Sequence, residues 1–130
     1  MKSFAKLIIF FGFFALMLTA CESKSVDPAA QAVVNYLNAL VNKDSAKLST
    51  LSCASWEASA QLEFDSLQAV KARLEGLKCK VVETVGSTTQ VNCQGKILAT
   101  YNNEEQEIDL SVRNYQVVQQ GGEFLVCGYQ

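Results

Sequence analysis

The sequence predicts an α+β fold, with N-terminal helices packed on a bent four-stranded antiparallel meander sheet. Two observations carry the prediction. From residue 28 to about residue 76 the apolar positions recur every three or four residues. After Leu77 they recur every second residue, among β-branched and aromatic side chains with turn residues at regular gaps. Helices grouped ahead of strands place the helices across one sheet face.

Asp27-Pro28 reads as an N-cap followed by proline at the first helical position. Ala30, Val33, Val34, Leu37, Leu40 and Val41 then share one face, while Gln31, Asn35, Asn38 and Asn42 take the other. Asn42-Lys43-Asp44 interrupts this helix, and Ala46, Leu48 and Leu51 suggest a short second one. Ser55 is a candidate cap for a stretch bearing Trp56, Ala60 and Phe64. Asp65 or Ser66 is a candidate cap for another, bearing Leu67, Val70 and Leu74 and stopping at Gly76.

Strands are expected at residues 78–85, 89–101, 106–118 and 123–129, joined near Gly86-Ser87, residues 102–105 and residues 120–122. Connections this short make consecutive strands antiparallel neighbours. On the second strand Val91, Cys93, Ile97, Ala99 and Tyr101 share a face; on the third, Ile108, Leu110 and Val112 do. From Tyr115 and Val117 the apolar parity changes from even to odd numbers, which predicts a bulge near Arg113-Asn114.

Helical Val33-Val34-Asn35-Tyr36-Leu37-Asn38-Ala39-Leu40 followed by Asp44, and the ending Tyr115-Gln116-Val117-Val118 then Gly122-Glu123-Phe124-Leu125-Val126, carry a resemblance. The chain resembles the nuclear-transport-factor-2-like (cystatin-like) superfamily, in particular its small lipoprotein members. The likeness spans nearly the whole chain after the signal and implies a cone-shaped domain. Some members of that superfamily are enzymes that use a pocket Asp, Tyr or His for proton transfer, and many bind or assemble.

Lys2 and Lys6, the twelve-residue apolar run from Leu7 to Leu18 and the small residues Thr19-Ala20 form a secretory signal layout. Twelve residues reach about 18 Å, short of the roughly 30 Å hydrocarbon core, so a spanning helix is disfavoured. Leu18-Thr19-Ala20-Cys21 resembles the bacterial lipobox, which implies cleavage before Cys21 and a lipid on its thiol. Residues 1–20 are thus a lipoprotein signal, 21–27 a lipidated tether, and 28–130 one domain. The expected location is the outer leaflet of a bacterial cell membrane, or an outer membrane, held by the lipid on Cys21.

Removing the signal leaves nine cations against thirteen acids, a net charge of −4. No basic patch argues for nucleic acid, and an acidic domain is not drawn to anionic headgroups.

Of the five cysteines, Cys21 is consumed by lipid, which leaves Cys53, Cys79, Cys93 and Cys127 to pair in an oxidising compartment. Wide gaps and the absence of histidine disfavour a zinc site, and no metal or cofactor is expected. Cys79 and Cys93 flank the first hairpin. A three-residue turn, Val85-Gly86-Ser87, places them opposite one another, whereas a two-residue turn puts them on opposite faces. Cys127 lies two strands from Cys93, and elimination pairs it with Cys53.

Without histidine there is no Ser-His or Cys-His arrangement, and no phosphate-binding glycine loop occurs. No catalytic residue is expected. Glu57, Glu63 and Asp65 are acid-base candidates by type but read as solvated helix positions. Tyr36, Trp56, Phe64, Tyr101 and Tyr115 are candidates to line a small apolar pocket. The function expected is a non-catalytic binding or assembly module for an envelope protein or a small apolar ligand. The alternative is a small pocket enzyme of isomerase or hydrolase type. Cys21→Ser is expected to abolish lipid labelling and leave the signal uncleaved while the other four cysteines still pair. Unchanged labelling of that variant defeats the anchor.

Overall fold

The computed structural model describes residues 25–130; residues 1–20, expected to be a signal, and Cys21 lie outside the described residues. Helix α1, Pro28–Val41, starts where the Asp27 carboxylate accepts a 2.8 Å bond from the Ala29 amide. It buries Val33, Tyr36, Leu37 and Leu40 completely. Each such aliphatic side chain contributes about 1.5–3 kcal/mol through burial. Helix α2, Ser45–Leu51, is capped by Asp44, which accepts from the Lys47 amide at 3.0 Å. Helix α3, Glu57–Ser66, begins after Trp56 without the Ser55 cap that the sequence suggested. A backbone turn replaces that cap: the Trp56 and Glu57 amides both donate to the Cys53 carbonyl.

The helix expected to end at Gly76 is instead strand. Strand β1 runs Lys71–Val85. Leu67, Val70 and Leu74 fit helical spacing, but Ala72 and Leu74 also alternate with Lys71, Arg73 and Glu75. The alternation prevails because residues 71–75 pair antiparallel with residues 96–100, and on the outer face Arg73 and Glu75 also find charged partners. Arg73 meets Glu105 at 3.3 Å and Glu75 meets Lys96 at 3.6 Å.

Strand β2, Thr88–Tyr101, pairs antiparallel with β1. The expected third strand is two. Strand β3, Glu104–Asp109, lies beside residues 96–101 of β2, and β4, Asn114–Gln120, lies beside residues 88–92. Strand β5, Glu123–Tyr129, pairs with β4. The sheet therefore has five strands, with β3 and β4 occupying the single lane expected of one.

A turn, not a bulge, separates them. The Asp109 carboxylate accepts from both the amide and the hydroxyl of Ser111, at 2.8 and 2.7 Å, and so competes with the strand ladder. The Arg113 amide closes the turn on the Leu110 carbonyl. From across the sheet, the Asn92 amide nitrogen donates to the carbonyls of Ser111 and Arg113, both at 3.0 Å.

The β1–β2 connection is the two-residue loop Gly86-Ser87, since Val85 faces Thr88. That loop alone puts Cys79 and Cys93 on opposite faces. A bulge at Val82 shifts the register by one and restores them as direct partners, joined by a disulfide with Cα atoms 4.0 Å apart. A second disulfide joins Cys53 to Cys127 and ties the loop before α3 to β5. Loops of 14 and 74 residues correspond to about 3 and about 4.5 kcal/mol of lost unfolded-state entropy.

A second bulge in β1 sets Gly76 and Leu77 against Gly95 of β2. Gly95 has φ +108°, and a Cβ there would stand 2.7 Å from the Glu75 carbonyl oxygen and 2.8 Å from Gly76 backbone atoms. These neighbours are main chain in a paired ladder and cannot move aside. Gly95→Ala is expected to destabilise the domain by about 3 kcal/mol, read as a lower urea midpoint at unchanged slope. A change under about 0.5 kcal/mol shows that the bulge relaxes freely.

Candidate functional site

The Leu110–Arg113 turn delivers Arg113 to the helical layer. Its Nη1 donates to Glu63 Oε1 at 2.8 Å, and the two side chains keep only 19% and 15% exposure. Glu63 Oε2 accepts the Tyr36 hydroxyl at 2.9 Å, and that hydroxyl accepts from Trp56 Nε1 at 3.1 Å. The Arg113 guanidinium also lies 4.2 Å from the centre of the Tyr129 ring, within cation–π range. Tyr129 meets Trp56 and Tyr115 edge-on, with ring centres 5.5 Å apart in each case. Three helix-side groups and three sheet-side groups thus form one network.

Local sequence positions each member. Tyr36 falls on the buried stripe of α1, and Glu63 on the last full turn of α3. Trp56 lies against β5 at Gly128, where a Cβ would sit 3.4 Å from its ring and where φ is +136°. A register shift in β4–β5 sets Tyr129 opposite Tyr115.

Burial, reinforced by the charge of Glu63, raises the Tyr36 hydroxyl far above its ordinary value. Burial also pushes Tyr115 up to about 12, against the opposing pull of Arg113. Tyr129 is raised by burial too. All three phenols therefore stay protonated at neutral pH.

Between α3 and the sheet, four members of this network, Trp56, Glu63, Arg113 and Tyr129, line an open cleft of about 380 Å³. Its walls are Trp56, Leu62, Leu67, Ile97, Ile108 and Tyr129, with Glu63 and Arg113 among them. A second hollow, of about 390 Å³, lies on the outer face around Glu75, Lys96, Glu107 and Asp109. Its charges face one another, with Lys96 Nζ 2.6 Å from Glu107. Among the described residues no cluster of metal-ligating side chains forms.

Of the pocket candidates only Trp56 lines the cleft; Tyr36 and Tyr115 are fully buried behind it, in contact with the same network. Phe64 is core packing on α3, 8% exposed, and lines no part of the cleft. Tyr101 is 58% exposed at the end of β2, where the hairpin to β3 carries it off the core. Glu57 and Asp65 are exposed, but Glu63 is not the solvated residue expected, because Arg113 and Tyr36 both reach it. Arg113 and Tyr129 were missed. The parity change before Tyr115 was the available signal for Arg113, since a turn there points a residue inward.

No family model and no curated protein sequence matches the chain. Solved structures do match. Aln2 from a Streptomyces species superposes with a TM-score of 0.56 at 11% identity, over 78% of this chain and 85% of that one. A five-fold substituted variant of the protein Rd1NTF2_05 gives 0.55 at 11% identity, over 77% and 92%. The fold is nuclear-transport-factor-2-like. Identity this low speaks for the fold alone.

The raised phenols have a consequence at high pH. Each holds its proton more tightly folded than unfolded, so the stability it lends is complete below its ordinary value of about 10 and declines as pH rises toward 12. Urea midpoints are expected to fall between about pH 10 and 12, and Tyr115→Phe to flatten that fall. A flat midpoint for the unaltered protein across this window contradicts the burial-driven shifts.

Proposed function

We propose that the protein is a lipid-anchored surface module of a bacterial envelope that binds a small apolar ligand, without catalysis, in the cleft between α3 and the sheet. The observation that carries this reading is the engagement of the cleft's ionisable groups by one another. Both Glu63 oxygens already accept bonds, from Arg113 and Tyr36, and the phenols around them hold their protons. General acid-base work at neutral pH asks for a group that exchanges its proton there. Apolar walls with a few fixed polar groups are the usual chemistry of a small-molecule site, and the volume falls in the usual range.

The two disulfides suit an oxidising, extracytoplasmic environment. No helix among the described residues is long and apolar enough to cross a membrane. The lipobox-like Leu18-Thr19-Ala20-Cys21 supplies the anchor in this reading. Two or more acyl chains, at about 0.8 kcal/mol per buried methylene, hold a domain at the bilayer where one chain does not.

A neutral naphthylamine dye, fluorescent only in apolar surroundings, tests the cleft. Saturable binding at one site per protein is expected, weakened about fivefold by Leu62→Ser through loss of apolar contact. Leu62 is 71% exposed, so this substitution leaves the core intact. Non-saturating dye uptake, or identical binding by the variant, removes the cleft as the binding site. Turnover of any substrate that is lost in Glu63→Gln favours the pocket-enzyme alternative.

A further inference from the structure

The Glu63–Arg113 pair is one-handed. Of the five N–H donors on a guanidinium, only those of Nη1 are used by protein: one bond goes to Glu63, and a long contact of 3.5 Å reaches the Tyr115 hydroxyl. Among the described residues, Nε and Nη2 donate to nothing. They are not sealed in either, because no buried side-chain nitrogen in the described structure lacks a partner. These two nitrogens therefore reach solvent, and Arg113 is a lining residue of the cleft.

Nε and Nη2 together form the side-on fork whose spacing matches the two oxygens of a carboxylate. The Tyr129 ring, its centre 4.2 Å from the guanidinium carbon, and the Nη1 bond to Glu63 together restrict how that fork can turn. The Glu63 charge is met by Nη1 and by the Tyr36 hydroxyl, neither of which uses the fork. The remaining cleft wall is mostly hydrocarbon and aromatic, from Trp56, Leu62, Leu67, Ile97 and Ile108, with the hydroxyls of Ser59 and Ser66 on the α3 side.

We propose that the cleft takes an amphipathic monocarboxylate, its carboxylate held by Nε and Nη2 of Arg113 and its hydrocarbon chain laid against Trp56, Leu62, Ile97 and Ile108. This rests on the reading of the cleft as a binding site and adds the chemical class of the ligand. The fork supplies orientation, and the apolar wall supplies most of the affinity.

Trp56 is the only tryptophan in the chain and lines the cleft, so its emission reports occupancy directly. The full-length protein is titrated at about pH 8 with decanoate, decanol and decyltrimethylammonium, three amphiphiles of matched chain, each below its micelle concentration. Decanoate is expected to saturate the Trp56 signal about tenfold more tightly than decanol, as two charge-assisted bonds allow. Decyltrimethylammonium is expected to bind no better than decanol. Arg113→Lys keeps the charge but not the fork and is expected to close most of the gap between decanoate and decanol. Leu62→Ser is expected to weaken both.

Equal affinities for decanoate and decanol, or a preference for the cation, overturn the carboxylate assignment and leave cleft binding standing. No saturable response to any of the three overturns both. If circular dichroism shows that Arg113→Lys does not fold, the ratio measured on the unaltered protein decides the question alone.

Discussion

The bond from Arg113 to Glu63 is the point at which the helical layer and the sheet must agree. Helix α3 buries only Ala60 and Phe64 along its length, so hydrophobic contact alone holds it loosely. Desolvating two charges costs several kcal/mol per ion unless further bonds complete their shells. Here the Tyr36 hydroxyl gives Glu63 its second bond, while Arg113 lies over the Tyr129 ring and keeps Nε and Nη2 open to solvent. The pair can form only because the turn after β3 aims Arg113 inward, and that turn holds its shape because Asp109 and Asn92 satisfy its backbone. Cleft, aromatic cluster and helix placement all follow from this one alignment.

The disulfides act on a different part of the problem. A chain with a core of this size has little stability to spare, and loop closure removes unfolded-state entropy that packing would otherwise have to offset. Cys53–Cys127 holds the segment that leads into α3, beside the parallel bridge between Ser52 and Val126. Cys79–Cys93 fixes the register of the long first hairpin. The helix bearing Glu63 and the strand bearing Tyr129 are therefore tethered close to where their side chains meet.

Much of this architecture is written in local sequence, and the parts that are not have physical reasons. Asp27-Pro28 and Asp44 announce their helices because capping is a matter of a few adjacent atoms. The layout of helices before an antiparallel sheet follows from the change of period. Val70 and Leu74 satisfied two periods at once, and the choice was made by pairing with residues 96–100, which lie far along the chain. The loop at Gly86-Ser87 misled because a bulge at Val82 compensates for it, and a bulge leaves little trace in composition. Tyr36, Trp56 and Tyr115 were recognisable as large apolar residues. Arg113 and Tyr129 were not, since what makes them part of the site is a turn and a register shift.

The two bulges of β1, described above as corrections of register, also govern how the molecule meets its neighbours. Strand β1 is fifteen residues long and stands at the margin of the sheet, with one side of its backbone unpaired among the described strands. A flat strand of that length is a template on which another chain can add and propagate into aggregates. Bulges at Val82 and at Gly76-Leu77 interrupt the template into short segments, and Lys71, Arg73, Glu75, Lys78, Lys80 and Glu83 place charges along it. The irregularities that align a disulfide at Val82 and seat Gly95 at Gly76-Leu77 thus also keep the free edge of the same strand from sticking to its copies.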